Sequence, residues 1–343
     1  MTRTRVLIAE DSTTARELLV AILSADPTMT VIGTARDGDE AIAMTATLKP
    51  DVVTMDIRMP GVDGLEATRR IMAETPTPIV IISGHYDTGD VALSLDALRA
   101  GAVTILPKPS GPGADDFTSQ CQWLVRTVKS MAAVKVVRRR HVVTPAGSWP
   151  ATRRQRERPR VVAMAASTGG PGALAQVLGG LPRAFPLPLL VVQHIASGFA
   201  EGLARWLDGL SPLHVCVASE RQPLTPATVY LPPDDHHLLI LNPELATVSR
   251  TPPVDGFRPS GTVLFDSAAR VFGGSTVAVI LTGMGEDGVS GIRTVHASGG
   301  CVIAQDEQTS VVYGMPGATV AAGLADYVLP LPAIAKHIEM LAA

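Results

Sequence analysis

The sequence predicts an α/β protein in two parts: a five-stranded doubly wound domain, then a larger, mostly parallel doubly wound α/β domain with an edge β-hairpin. Three observations carry that prediction. Over roughly the first 110 residues, short apolar runs alternate with segments of helical periodicity, the signature of strands and crossover helices in a parallel sheet. A second alternation of the same kind starts near Arg160. Between them, a basic stretch interrupted by Pro145, Gly147, Pro150 and Pro159 reads as a solvated linker. A chain of 343 residues also exceeds the usual size of one hydrophobic core. The predicted boundaries are 1–130 for the first domain, 131–159 for the linker and 160–343 for the second domain.

Each element follows from its residues. In the first domain the apolar runs Val6–Ala9, Thr30–Ile32, Val52–Met55, Ile79–Ile82 and Val103–Leu106 read as five buried parallel strands. Helical spacing of apolar residues, as in Ala15–Leu23 and Ala92–Leu98, predicts the crossover helices. Ser110-Gly-Pro-Gly breaks the alternation, and a last helix is expected from about Asp115 to Met131. In the second domain, strands are expected at Val161–Ala165, Leu189–Gln193, Val229–Leu231, Val277–Leu281, Val302–Gln305 and Tyr327–Leu329. The segment HLLILNPELATV places Asn-Pro between two apolar stretches, which predicts a hairpin at one sheet edge.

Composition excludes several classes. With 46% hydrophobic and 18% charged residues, this is an ordinary globular chain. Its apolar runs are far shorter than the roughly 20 residues of a membrane-spanning helix. Acidic residues follow the start too soon for a secretory signal, so a cytoplasmic location without membrane insertion is expected. Cys121, Cys216 and Cys301 are odd in number and widely spaced, which fits reduced thiols rather than a disulfide framework or metal knot. Net charge is −3, but residues 134–160 hold nine Lys or Arg against Glu157 alone, which leaves −11 on the rest. That run reads as a solvated segment rather than a nucleic-acid site, and no compact helix-turn-helix pattern accompanies it.

Residues beyond the carboxyl ends of parallel strands collect in one crevice. In the first domain these are Glu10 and Asp11 after the first strand, Asp56 after the third, Ser83 after the fourth and Lys108 after the fifth. Three carboxylates held together suit a hard divalent cation, Mg²⁺ best, and a lysine and a hydroxyl beside them suit phosphoryl oxygens. Glu10 and Asp11 taken alone also read as caps of the first helix. The segments AEDS, MDIRMPGVDG, ISG and KP resemble those of response-regulator receiver domains over about residues 1 to 125. The resemblance implies that Asp56 takes phosphate from a histidine kinase, that Glu10, Asp11 and Asp56 hold Mg²⁺, and that Ser83 and Lys108 contact the phosphate. Ile105 stands where that family usually has Tyr or Phe, a departure that bears on the aromatic flip that often reports phosphorylation but not on phosphate acceptance.

In the second domain Ser167, His194 and Asp287 each lie just past a separate apolar run, and the same rule brings them to one rim. These residue types make a nucleophile, its base and the base's orienter. Singly, each has a plainer reading: Ser167 or Thr168 in AASTGGPG as a helix cap, His194 as a hydrogen-bonded structural residue. Glu286 and Asp287 in TGMGEDGVSG could each orient a histidine, and spacing does not choose between them. STGGPG does not fit G-x-G-x-x-G, and Ala165 at the first position rules out the G-x-S-x-G elbow. His236 and His237 lack companion ligands at metal spacing and read as loop and hairpin residues.

AASTGG, VVQH, RPS, LTGMGEDG and AQDEQTSVVYGMP resemble the catalytic domain of the chemotaxis protein-glutamate methylesterases (CheB). The likeness spans about residues 160 to 340 and follows the receiver in that family's own order. It implies Ser167 as nucleophile, His194 as general base and Asp287 as the residue holding the imidazole. Oxyanion donors map near Thr168 and Met284, and no cofactor is implied at this site. The implied reaction is hydrolysis of γ-glutamyl methyl esters, with deamidation of glutamines, on the cytoplasmic helices of methyl-accepting chemoreceptors. Two segments depart from the family: Gly261-Thr262 replaces Val-Asp in RPSGTVLF, and YLPPDDHHL is a loose version of the substrate-side loop. Both are expected to border the substrate. Fusion of an acceptor aspartate to a hydrolase further predicts that the unphosphorylated receiver covers the crevice holding Ser167, and that phosphate on Asp56 weakens this docking. Three alternatives stay open on the sequence: an esterase or deamidase acting outside chemotaxis, an inactive phosphorylation-dependent docking protein, and a DNA-binding response regulator.

Overall fold

Central strands that are apolar on both faces dictate the architecture of both halves. The structure is a computed structural model that describes residues 3–84, 88–114, 117–134 and 157–343. The chain divides into two units, Met1–Val142 and Val143–Ala343. Most of the expected basic linker lies outside the described residues.

In the first unit, strands β1 (Thr4–Ala9), β2 (Met29–Ala35), β3 (Val52–Met55), β4 (Ile79–Ser83) and β5 (Thr104–Pro107) alternate with helices α1 (Thr13–Ser24), α2 (Gly38–Leu48), α3 (Gly64–Glu74), α4 (Thr88–Ala100) and α5 (Phe117–Ala132). All strands pair in parallel, in the order β2-β1-β3-β4-β5. The order reverses between β1 and β3, which opens a crevice at their carboxyl ends. Val6, Leu7, Ile8, Val52, Val53, Ile79, Val80 and Ile81 are fully buried, as a sheet covered on both faces requires. Ser12 caps α1, its hydroxyl accepting from the Ala15 N–H at 3.4 Å. Glu10 and Asp11 are therefore not the caps, and their carboxylates stay at the rim.

In the second unit, β6 (Val161–Ala166), β7 (Leu189–Gln193), β8 (His214–Val217), β10 (Thr228–Leu231), β13 (Thr276–Ile280), β14 (Cys301–Gln305) and β15 (Tyr327–Leu329) form a seven-stranded sheet. The order is β15-β14-β13-β6-β7-β10-β8, parallel throughout. Its helices are α6 (Gly170–Gly179), α7 (Ala200–Asp208), α8 (Gly261–Phe272), α9 (Val289–Ala297), α10 (Met315–Ala321) and α11 (Leu331–Ala342). Strand β6 lies between β7 and β13, so the order reverses there and a second crevice opens at its carboxyl end.

The expected hairpin forms, but not at an edge of this sheet. Strands β11 (His237–Asn242) and β12 (Leu245–Ser249) pair antiparallel and, with β9 (Gln222–Pro223), make a separate three-stranded sheet. Its apolar side chains Leu238, Ile240 and Ala246 join one core cluster with Leu264, Phe265 and Ala268 of α8. That cover is what draws the hairpin away from the main sheet. The edge belongs to β8, whose four residues HVCV are too short a run to stand out in the sequence.

Candidate functional site

Ser167 leaves β6 half-buried and firmly held. Its N–H donates to Thr282 O at 3.0 Å, and its C=O accepts from the Gly170 N–H and from Gln193 Nε2, each at 2.8 Å. His194 leaves the neighbouring strand β7, its N–H donating to Ala166 O at 3.0 Å. Asp287 comes from the turn between β13 and α9, where Gly285 (φ 84°) and Gly288 (φ 92°) adopt the left-handed backbone that glycine tolerates. Its Oδ2 lies 2.8 Å from His194 Nε2. Glu286, the other candidate, is exposed.

Asp287 is 3% exposed and faces the first N–H groups of α8. Its Oδ1 accepts from Ser260 Oγ at 2.7 Å and the Thr262 N–H at 3.2 Å, and its Oδ2 from the Gly261 N–H at 2.6 Å. Burial on its own would raise this carboxyl's pKa. The His194 hydrogen bond and charge, then Ser260 and Gly261, outweigh burial and lower the pKa to about 2. Gly261 and Thr262 thus lie behind Asp287, both buried, and not at the substrate border expected for them. A helix start there supplies the N–H groups that the buried carboxylate requires.

The imidazole of His194 stacks flat on Phe257, with centroids 4.2 Å apart and planes 9° from parallel. Its Nδ1 is buried and has no hydrogen-bond partner among the described residues. The Ser167 hydroxyl likewise makes no hydrogen bond among them, so Ser167 and His194 are not hydrogen-bonded to each other in this arrangement. A Cβ at Gly283 would lie 2.7 Å from Ser167 Cβ, so glycine is what lets the Gly283-Met284 loop approach the serine. Among the described residues the N–H groups of Thr168 and Met284 have no acceptor, whereas Thr168 O accepts from Thr282 Oγ1 at 2.9 Å. Vacant donors beside a serine suit a developing oxyanion.

Residues 231–235 line a cavity of about 130 Å³ with Gln193, Ile195 and Arg258. His236 is taken up by Asp234 O, 2.7 Å from its Nδ1, and by Arg250 Nε, which donates to its Nε2 at 3.0 Å. His237 begins β11, fully buried. Neither histidine joins a metal-ligating cluster among the described residues.

At the rim of the first unit, Glu10, Asp11 and Asp56 each offer a carboxylate oxygen within 4.8 Å of the others. Lys108 Nζ reaches across to Glu10 Oε1 at 2.9 Å, Glu10 Oε2 at 2.8 Å and Asp56 Oδ2 at 3.0 Å. A Cβ at Gly84 would lie 2.8 Å from Lys108 Cδ, so glycine leaves the lysine its path. Ser83 ends β4, 3% exposed. Burial above all, and then repulsion from Asp11, hold the Asp56 carboxyl above the ordinary range despite Lys108. Burial and repulsion from Asp56 do the same to Glu10. An all-oxygen donor set of mutually repelling carboxylates, with Glu10 and Asp56 buried and Asp11 exposed, fits a hard divalent cation.

Sequence reading does not single out Phe257, Ser260, Thr282 or Gln193. VVQH, RPS and LTGMGEDG contain three of them, but spacing does not announce a hydrogen bond to a neighbouring loop.

Residues 162–338 match the family model described as CheB methylesterase, and residues 6–114 match the response regulator receiver domain. The chain is 55% identical over 338 residues to protein-glutamate methylesterase/protein-glutamine glutaminase 4 of Myxococcus xanthus, covering 97% of this chain and 96% of that protein. It is 52% identical over 337 residues to protein-glutamate methylesterase/protein-glutamine glutaminase 3 of Anaeromyxobacter dehalogenans, covering 98% of each. The crystal structure of the Thermotoga maritima CheB methylesterase catalytic domain aligns with a TM-score of 0.52 at 39% identity, covering 53% of this chain and 98% of that one.

Proposed function

The chain belongs to the CheB methylesterase family and carries a response-regulator receiver domain ahead of the esterase, and from that premise we propose that it demethylates chemoreceptors under phosphorylation control. The substrates are γ-glutamyl methyl esters, and glutamines by the same route, on the cytoplasmic helices of methyl-accepting receptors. Its parts are a receiver (1–130), a linker (131–159) and a catalytic domain (160–343). The observation that carries the reading is the buried Asp287 gripping His194 Nε2 at 2.8 Å where β6 delivers Ser167.

Ser167 Oγ attacks the ester carbonyl carbon while His194 takes its proton at Nδ1, the ring nitrogen that Asp287 leaves vacant. The carbonyl oxygen becomes an oxyanion facing the N–H groups of Thr168 and Met284, each donor typically contributing about 3 kcal/mol in such sites. His194 then returns the proton to the departing methoxide, and methanol leaves. Water, deprotonated by the same imidazole, hydrolyses the acyl-enzyme to glutamate and restores Ser167. With glutamine the leaving group is ammonia.

In the receiver, Asp56 accepts a phosphoryl group from a histidine kinase, with Lys108 and Ser83 beside its oxygens. Glu10, Asp11 and Asp56 would hold Mg²⁺, which supplies neutralising charge for that transfer. The test is release of methanol from methylated receptor membranes. Ser167→Ala is expected to abolish it while leaving phosphorylation of Asp56 intact; normal turnover in that variant would remove the serine from its role.

A further inference from the structure

We propose that Gln193 is a positioning residue for the esterase: its side-chain amide aims the Thr168 N–H at the oxyanion. The inference rests on the reading of Ser167 as nucleophile given above. Gln193 ends β7, 4% exposed. Its Nε2 donates to Ser167 O at 2.8 Å and to His194 O at 2.9 Å. Both partners are carbonyls, which only accept, so the amide nitrogen and not its oxygen must face them. One side chain thereby ties the residue after β6 to the residue after β7.

Peptide planarity carries the consequence to the active site. In a trans peptide the C=O and the following N–H point in opposite directions. The Ser167 C=O is drawn inward by Gln193 Nε2 and by the Gly170 N–H. The N–H of the same peptide belongs to Thr168 and must point the other way, where it has no acceptor among the described residues. Without Gln193 only the Gly170 bond resists rotation of that plane.

The other end of the side chain argues that this arrangement is kept for function. Gln193 Oε1 is buried without a hydrogen-bond partner. A Cβ at Gly170 would collide with it, and would also lie 2.8 Å from Ala166 Cβ, so glycine there makes room for both the amide and the end of β6. An unpaired buried acceptor destabilises a fold. A side chain serving the core alone would not carry one.

Gln193→Met keeps the length and volume and removes both polar atoms. Its kcat for methanol release is expected to fall about 10- to 100-fold, with KM within about twofold and Tm unchanged or higher. Labelling of Ser167 by a fluorophosphonate, whose phosphoryl oxygen takes the oxyanion position, is expected to slow in parallel. Wild-type kcat in Gln193→Met, or a kcat loss matched by a falling Tm in that variant, overturns the positioning role. Ser167→Ala separates the two levels. If that variant is inactive while Gln193→Met is normal, only this inference fails; if Ser167→Ala remains active, the esterase reading itself fails.

Discussion

Asp287 decides which imidazole nitrogen is available to the serine. Accepting from Nε2, it holds the ring proton there and leaves the Nδ1 lone pair free. In Asp287→Asn, an amide nitrogen turned toward Nε2 would donate to it and drive the ring proton to Nδ1, the atom that has to accept. We expect kcat for methanol release to fall about 10³- to 10⁴-fold with KM little changed, as loss of the correct tautomer does in other serine triads. Acid sensitivity has the same origin. A folded pKa of about 2 for Asp287 lies below the ~3.9 of an unfolded aspartate, so its ionised form stabilises the fold. That contribution, about 2–3 kcal/mol, is complete above roughly pH 4 and disappears as pH falls toward 2. Urea titrations of wild type and Asp287→Asn should therefore converge on acidification; a gap independent of pH over that range would contradict the assignment. Phe257 acts on the ring's plane rather than its proton. Stacking of this kind contributes about 0.5–1.5 kcal/mol, so Phe257→Ala should lower kcat about 3- to 10-fold, and Phe257→Tyr should restore it.

Both sites are built by one device at the scale of elements, the residue just past a buried parallel strand. An apolar run marks the strand, and the polar residue after it lies at the rim, which is why Asp56, Lys108, Ser167 and His194 are legible in the sequence. What stays hidden depends on packing between elements. HLLILNPELATV announces a hairpin, but the α8 side chains that draw it into its own sheet, from Leu264 onward, lie beyond an irregular connection downstream of it. Ser260 and Phe257 belong to an irregular connection with no periodicity to read, and Gly261-Thr262 looks substrate-facing until the helix start behind Asp287 is known. The strand-end device also has a cost in the receiver. Asp56 is held above its ordinary pKa, so the folded state favours its protonated form, and stability falls as pH rises through the carboxylate range to that raised value. Above that value the cost is present in full. Asp56→Asn should then raise the Tm of the receiver transition at pH 7, and Mg²⁺ should raise it in wild type but less in the variant. An unchanged or lower Tm in Asp56→Asn would show that Lys108 already offsets the burial.

Over the whole molecule, the proposed regulation by phosphate on Asp56 requires that charge at one rim set the rate at the other. The second unit has its own closed core, with Val161, Ala163, Leu190, Val192, Ala278 and Ile280 at most 0% exposed, so residues 160–343 can be expressed and assayed alone. If the unphosphorylated receiver restrains the esterase, this fragment should release methanol faster than the full chain. Acetyl phosphate with Mg²⁺ should then raise the full chain toward the fragment's rate, leave the fragment unchanged, and leave full-length Asp56→Asn at its basal rate. A tenfold activation would need only about 1.4 kcal/mol of difference between the two receiver states. Ile105 stands where receivers usually have an aromatic side chain, and we expect Ser83 and Lys108, beside the phosphate, to carry that difference. Ser83→Ala should therefore reduce the activation without lowering the basal rate. Equal rates for fragment and full chain would show that the receiver does not restrain the esterase, and a fragment slower than the full chain would show that the receiver assists it.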